Sequence, residues 1–192
     1  MLLLGANSSA LPWLVAPLGA SAVLVFAVPA SPLAQPWPLV AGNLVSAFFG
    51  LLLGQMIGTP LLSAGLAVGA AIASMSLARC LHPPGGACAL LCALGATGKD
   101  AWGWPHLLAI GLNVFALGGF GWIYNNLTGH PWPHRAILPK PTQPAPGATY
   151  THADIEVVLA EWNEVLDVDV DDLDAIFQAV QRRAHRRERN DT

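Results

Sequence analysis

Apolar residues run through positions 1–134 in long stretches broken by short segments of Pro, Gly and Trp. Only after position 134 does the chain turn polar. Residues 11–28, 39–57, 61–78 and 106–124 each approach the length that crosses a hydrocarbon core of ~30 Å at about 1.5 Å per helical residue. Prolines at 29, 32, 36 and 38 predict an extended connection or a short irregular segment, rather than helix, between the first two spans, because proline fixes φ and has no N–H to donate. Small residues mark the expected contact faces. Pro17 precedes the patch Gly19-Ala20-Ser21-Ala22, Gly50, Gly54 and Gly58 recur every fourth residue, and Gly65 and Gly69 repeat that spacing.

One stretch does not suit lipid. Arg79-Cys80-Leu81-His82-Pro83-Pro84-Gly85-Gly86-Ala87-Cys88 places a cation, an imidazole, two prolines and two glycines inside an apolar run. Ionisable or helix-breaking residues at membrane depth sit within protein or beside water, and they mark a functional site by default. Residues 84–96 resume helical character but are too few to span unaided, so a re-entrant segment or half-helix beginning inside the protein is expected. Such an N-terminus favours an anion through its unpaired N–H groups and partial positive charge. The candidate binding set is therefore Pro83, Pro84 and the backbone of Gly85, Gly86 and Ala87, with Arg79 and His82 tuning charge. Asn43 and Asn125 are lesser polar contributors. Against this stand blander readings: Arg79 can snorkel to the interface, and Asn43 can bind a neighbouring helix.

Charge changes the picture for the rest of the chain. Hydrophobic residues make up 54% and charged residues 11%, and before His134 the charged residues are Arg79, Lys99 and Asp100. An ordinary soluble domain carries about 25% charged residues, so residues 1–134 are expected in the membrane. Residues 135–150 form a proline-rich linker and 151–192 a polar helical tail. The tail shows two stripes, Ile155, Val158, Leu159, Trp162 and Leu166, then Leu173, Ile176, Phe177 and Val180. Thr151 with Asp154 three residues on resembles a capping box. Arg135 and Lys140 just after the last span predict a cytosolic tail. Arg182, Arg183, Arg186, Arg187 and Arg189 form a basic run that fits a solvated helix end better than anionic lipid. No basic stripe with interleaved aromatics is present, so nucleic acid is not an expected partner.

Metal and enzyme chemistry are weakly served. The acidic run at 167–174 lacks the Gly and Glu that a calcium loop needs at its sixth and twelfth positions. Cys80, Cys88 and Cys92 have no second compact ligand pair and read as small packing residues. A cysteine nucleophile beside His82 would lack an acid partner. We therefore expect no metal, no cofactor and no enzymatic activity.

The run Leu81-His82-Pro83-Pro84-Gly85-Gly86-Ala87 resembles the signature of the HPP family of integral membrane proteins. Residues 19–24, 31–36 and 124–129 look like its other shared stretches, in the expected order. The tail from Thr151 resembles the segment that leads, in many bacterial members, into a pair of cystathionine-β-synthase-type (CBS) domains, which the chain lacks. A helix that usually precedes the Gly-Ala-Ser-Ala stretch is also missing, and Asn43 stands where many members carry histidine. The resemblance implies nitrite transport, as for some plastid and cyanobacterial members. The resulting expectation is an all-α, multi-pass transmembrane bundle in a bacterial inner membrane. It would be homo-oligomeric, surrounded by the lipid bilayer and permeable to a small anion such as nitrite. His82 could couple that movement to protons, since imidazole titrates near neutral pH. The competing expectation is a membrane anchor or sensor that signals through its tail to CBS-type domains or a partner.

Overall fold

The computed structural model describes residues 16–99, 101–134, 150–162 and 170–190. Residues 11–15, Asp100, the linker at 138–147, Leu166, and the acidic positions 167 and 169 lie outside the described residues. The chain divides into two compact units, Met1–Arg135 and Ala136–Thr192. Among the described residues the structure is all-α, as expected of a helical membrane bundle.

The first unit contains α1 (Pro17–Ala27), α2 (Asn43–Ile57, entered through a wide π-helical turn at Pro38–Gly42), α3 (Pro60–Leu77), α4 (Pro83–Ala96) and α5 (Pro105–Leu127). Each of these helical segments starts at a proline, including the π-turn at Pro38. The reason is local: a first-turn N–H has no intrahelical acceptor, so its absence costs nothing, and proline's fixed φ already suits a helix. Among the described residues α1 begins at Pro17; the stretch ahead of it, where an interruption was expected, lies outside them. Pro38–Ile57, Pro60–Leu77 and Pro105–Leu127 are long and apolar enough to cross a membrane, whereas α1 and α4 are shorter apolar helices. The exposed surface carries Leu61, Leu66, Leu108, Leu112, Phe115 and Phe120, as a lipid-facing wall requires.

The helices alternate in direction, and side-chain bonds tie their ends together. At one end the Trp37 indole donates to the Ala78 carbonyl, and Asn125 Nδ2 donates to the Val25 carbonyl. At the other end Gln55 Nε2 donates to the Trp102 carbonyl. A close seam joins α2 to α4. A Cβ added at Gly50 would lie 2.5 Å from the Ala89 oxygen and 2.5 Å from Cys92 Cβ; one at Gly54 would lie 2.6 Å from Ala96 Cβ. The packing stripe is thus Gly42, Ser46, Gly50 and Gly54, one residue per turn. Gly58 is not part of it: with φ 70° it caps α2, where a left-handed residue closes the helix. Gly65 and Gly69 also differ from expectation, since both are exposed and have nothing within 4 Å of an added Cβ. The inward face of α3 is instead Ser63, Ala64, Ala67, Ala71 and Met75.

The second unit has α6 (His152–Trp162) and α7 (Val170–Asn190). The carboxylate half of the capping box is present: Thr151 N–H and Oγ1 both donate to Asp154 Oδ2, at 2.6 and 2.7 Å, while the Asp154 N–H goes to the Thr151 carbonyl. Tyr150 packs edge-on against Phe177 with centroids 5.8 Å apart, over an apolar cleft lined by Ile155, Val158, Leu159 and Leu173.

Candidate functional site: a buried polar chain beneath a latched cap

His82 precedes α4 and has no exposed surface. Its Nδ1 lies 2.9 Å from the Leu33 carbonyl and its Nε2 2.8 Å from Ser21 Oγ. A carbonyl can only accept, so Nδ1 carries the proton and, in the neutral ring, Nε2 accepts from the serine hydroxyl. Asn43 Nδ2 donates to the Leu39 carbonyl at 2.8 Å and, more loosely, to Ser21 Oγ at 3.4 Å. The bonds therefore run one way: Asn43 to Ser21, Ser21 to His82, His82 to Leu33. All three side chains are fully buried. Asn43 Oδ1 is buried without a hydrogen-bond partner, which is costly in a region of low dielectric.

Packing seals this chain on the bundle side. An added Cβ at Gly42 would lie 2.6 Å from His82 Cβ, and one at Gly85 would lie 2.7 Å from Ser46 Oγ and 3.1 Å from Met75 Sδ. Glycine at 42 and 85 is what lets α2 and the start of α4 close on His82.

A cap seals the other side. Pro32–Ala34 forms one turn of 3-10 helix, and Ser31 Oγ accepts from the Leu33 N–H. Gln35 is the latch: its Nε2 donates to the carbonyls of Pro29 and Ser31, each at 2.8 Å, while its Oε1 accepts from the His134 N–H at 2.8 Å. The Trp132 indole adds a bond to the Ala34 carbonyl at 3.1 Å. The prolines at 29–38 thus make an ordered plug with Leu33 O against His82.

The structure gathers some of the expected site residues and separates others. His82, Asn43 and Gly85 come together, with Pro84 buried beside them. Pro83 and Ala87 are exposed on the outer face of α4, and Gly86 is half-buried with nothing near an added Cβ. Asn125 is buried at the end of α5, holding Val25.

Arg79 is exposed and has φ 51°. It ends α3 in a Schellman turn, with Arg79 N–H on Ser76 O and Cys80 N–H on Met75 O. It therefore does not contact His82 as an inward-turned guanidinium would.

The backbone-donor expectation also needs correction. A helix leaves four N–H groups unpaired at its start. At α4, Pro83 and Pro84 have none to offer, and Gly85's goes to the His82 carbonyl at 2.8 Å. Gly86 and Ala87 fall within the i→i−4 ladder. Of the four, the N–H of the N-cap His82 is left; the other donors able to face a ligand are side chains, Ser21 above all, which drew notice in the sequence only as part of a small-residue patch.

Cys80, Cys88 and Cys92 are buried in the apolar core, with Cys88 Sγ 3.8 Å from the Asn43 carbonyl. Among the described residues no group of three His, Cys, Asp or Glu gathers to hold a metal.

Residues 1–133 match the family described as HPP, transmembrane region. The chain belongs to that family of membrane proteins. It is also similar to two transmembrane proteins of Dictyostelium discoideum. One is 42% identical over 88 residues, covering 44% of this chain and 28% of the relative. The other is 41% identical over 90 residues, covering 43% of this chain and 30% of the relative. The chain thus spans about a third or less of the length of these relatives. No solved structure matches it.

Proposed function

We propose that this protein moves a small monovalent oxyanion, nitrite-like, across the membrane, with His82, Ser21 and Asn43 as its binding groups. One observation carries the reading: a fully buried, one-directional polar chain with an unpaired Asn43 oxygen, set in a bundle whose helices bury mostly apolar and small residues. Polar groups cost too much at such a place to be idle packing, and they mark transport pathways by default.

The bonds indicate how a proton would participate. A proton on Nε2 makes both ring nitrogens donors. Ser21 can then no longer donate to the ring and turns its hydroxyl to the Pro17 carbonyl, 3.4 Å away. An imidazolium with Asn43 Nδ2 beside it is a site for a single negative charge, and the anion and proton cross as a neutral pair. The cap over Leu33 opens to admit the anion, and exposed Arg79 raises anion concentration at the surface. No catalysis is proposed. The tail faces the cytosol of a bacterial inner membrane, because Arg135 and Lys140 follow the last span.

The complete burial of His82 supports a second reading, a membrane anchor or sensor in which the cluster only joins helices. Nitrite uptake into proteoliposomes separates the two. Transport predicts uptake above protein-free vesicles, lost in a folded His82→Gln variant. No uptake above vesicles alone sinks the transport reading.

A further inference from the structure

We propose that the outer stripe of α7 is a homodimer interface, pairing antiparallel with the same stripe of a second copy of this chain. The inner side of α7 is already occupied by α6: Tyr150 packs on Phe177 and donates to the Asp174 carbonyl, and His152 meets Asp171 at 3.2 Å. Adjoining that side are Ile176 and Val180, which are 56% and 59% exposed, followed at helical spacing by Arg183 and Arg187. One turn before Ile176 stands position 172, aspartate in the sequence. Read along the helix, the stripe runs acidic, apolar, apolar, basic, basic.

That order is self-complementary under a twofold axis, and a closed dimer needs such self-complementarity. Place the axis midway between Ile176 and Val180 with the helices antiparallel. Ile176 then meets the second copy's Val180, and the reverse. At about 1.5 Å per residue, position 172 falls within roughly 2 Å of the level of the second copy's Arg183, with Arg187 one turn beyond. A parallel pair would instead stack Arg on Arg and Asp on Asp. An anionic leaflet fits less well, because a helix lying on it is basic along its length and this stripe begins acidic.

Disulfide trapping of the full chain in detergent micelles tests this, with the wild type, whose three cysteines are buried, as background. Ala179→Cys sits beside the axis and is expected to give mostly linked dimer on mild oxidation. Arg187→Cys, about 27 Å from its counterpart in this arrangement, is expected to stay at background. Adding Asp172→Arg to Ala179→Cys should lower linking about fivefold, since two symmetry-related attractive pairs become repulsive. Asp172→Arg with Arg183→Asp should restore at least half of it. The proposal is overturned by background linking at position 179, by equal linking at 187, or by indifference to the charge changes.

Discussion

Gly50 is a position where one methyl group tests the α2–α4 packing severely. In Gly50→Ala the new Cβ would lie 2.5 Å from the Ala89 carbonyl oxygen, 2.5 Å from Cys92 Cβ and 3.2 Å from the Ala89 carbonyl carbon. Carbon atoms at rest are about 3.5–4.0 Å apart, so α2 and α4 must separate by roughly 1 Å. Two of the three contacts are backbone, which cannot swing aside as a long side chain would. Overpacking of this kind costs about 1–3 kcal/mol, and the rigid contacts place Gly50→Ala near the upper figure. Gly65→Ala is the matched control: its Cβ meets nothing within 4 Å on an exposed helix face. There the substitution removes only glycine's helix penalty, so it is neutral or stabilising by up to about 1 kcal/mol. Unfolding in mixed micelles with increasing SDS fraction measures the difference, expected at about 3 kcal/mol or more. Equal stabilities for the two variants would refute the assignment of the 42-46-50-54 stripe to the α2–α4 seam.

Two further outcomes follow from the cap and the tail. Gln35→Ala removes three bonds that hold the plug, each worth roughly 1 kcal/mol net. Hydrogen exchange of the Ser31, Leu33, Ala34 and His134 amides should rise by about a hundredfold, and unchanged exchange would mean the latch lies elsewhere. In the tail, the two Thr151 bonds hold the Asp154 carboxyl below its ordinary value near 3.8. Because the folded value is the lower one, this stabilisation of the α6 start is fully present above the ordinary carboxylate range. It is lost as pH falls through the lowered folded value. Protection of the amides at 152–155, taken relative to the intrinsic exchange rate at each pH, should fall over that range, and in Asp154→Asn that protection should not change with pH.

Much of the fold was legible because hydropathy and proline position act locally. The spans came from apolar run length, and the capping box from two residues three apart. The site was legible in part. His82 and Asn43 stand out because they are costly in lipid, and the structure indeed buries both. Ser21 did not stand out, since a lone serine among alanines carries no periodic signal; its role depends on His82, 61 residues away. The helix-start argument failed for a physical reason visible in the letters themselves, as two consecutive prolines remove the donors an anion would need. Arg79 misled differently. Its charge suggested a ligand contact, while the backbone uses it at a left-handed position where glycine is usual.

The most direct test of the proposed site is nitrogen NMR of the His82 ring in nanodiscs. Its resonances are assigned by their loss in His82→Gln among the six histidines of the chain. Without anion, Nδ1 should appear protonated and Nε2 as a bare acceptor, as the bonds to Leu33 and Ser21 require. Adding nitrite at mildly acidic pH should shift Nε2 toward the protonated form, in proportion to nitrite and not to an equal concentration of sulfate. An Nε2 resonance indifferent to nitrite, while the same preparation takes up nitrite, would contradict the account and place the anion's path elsewhere.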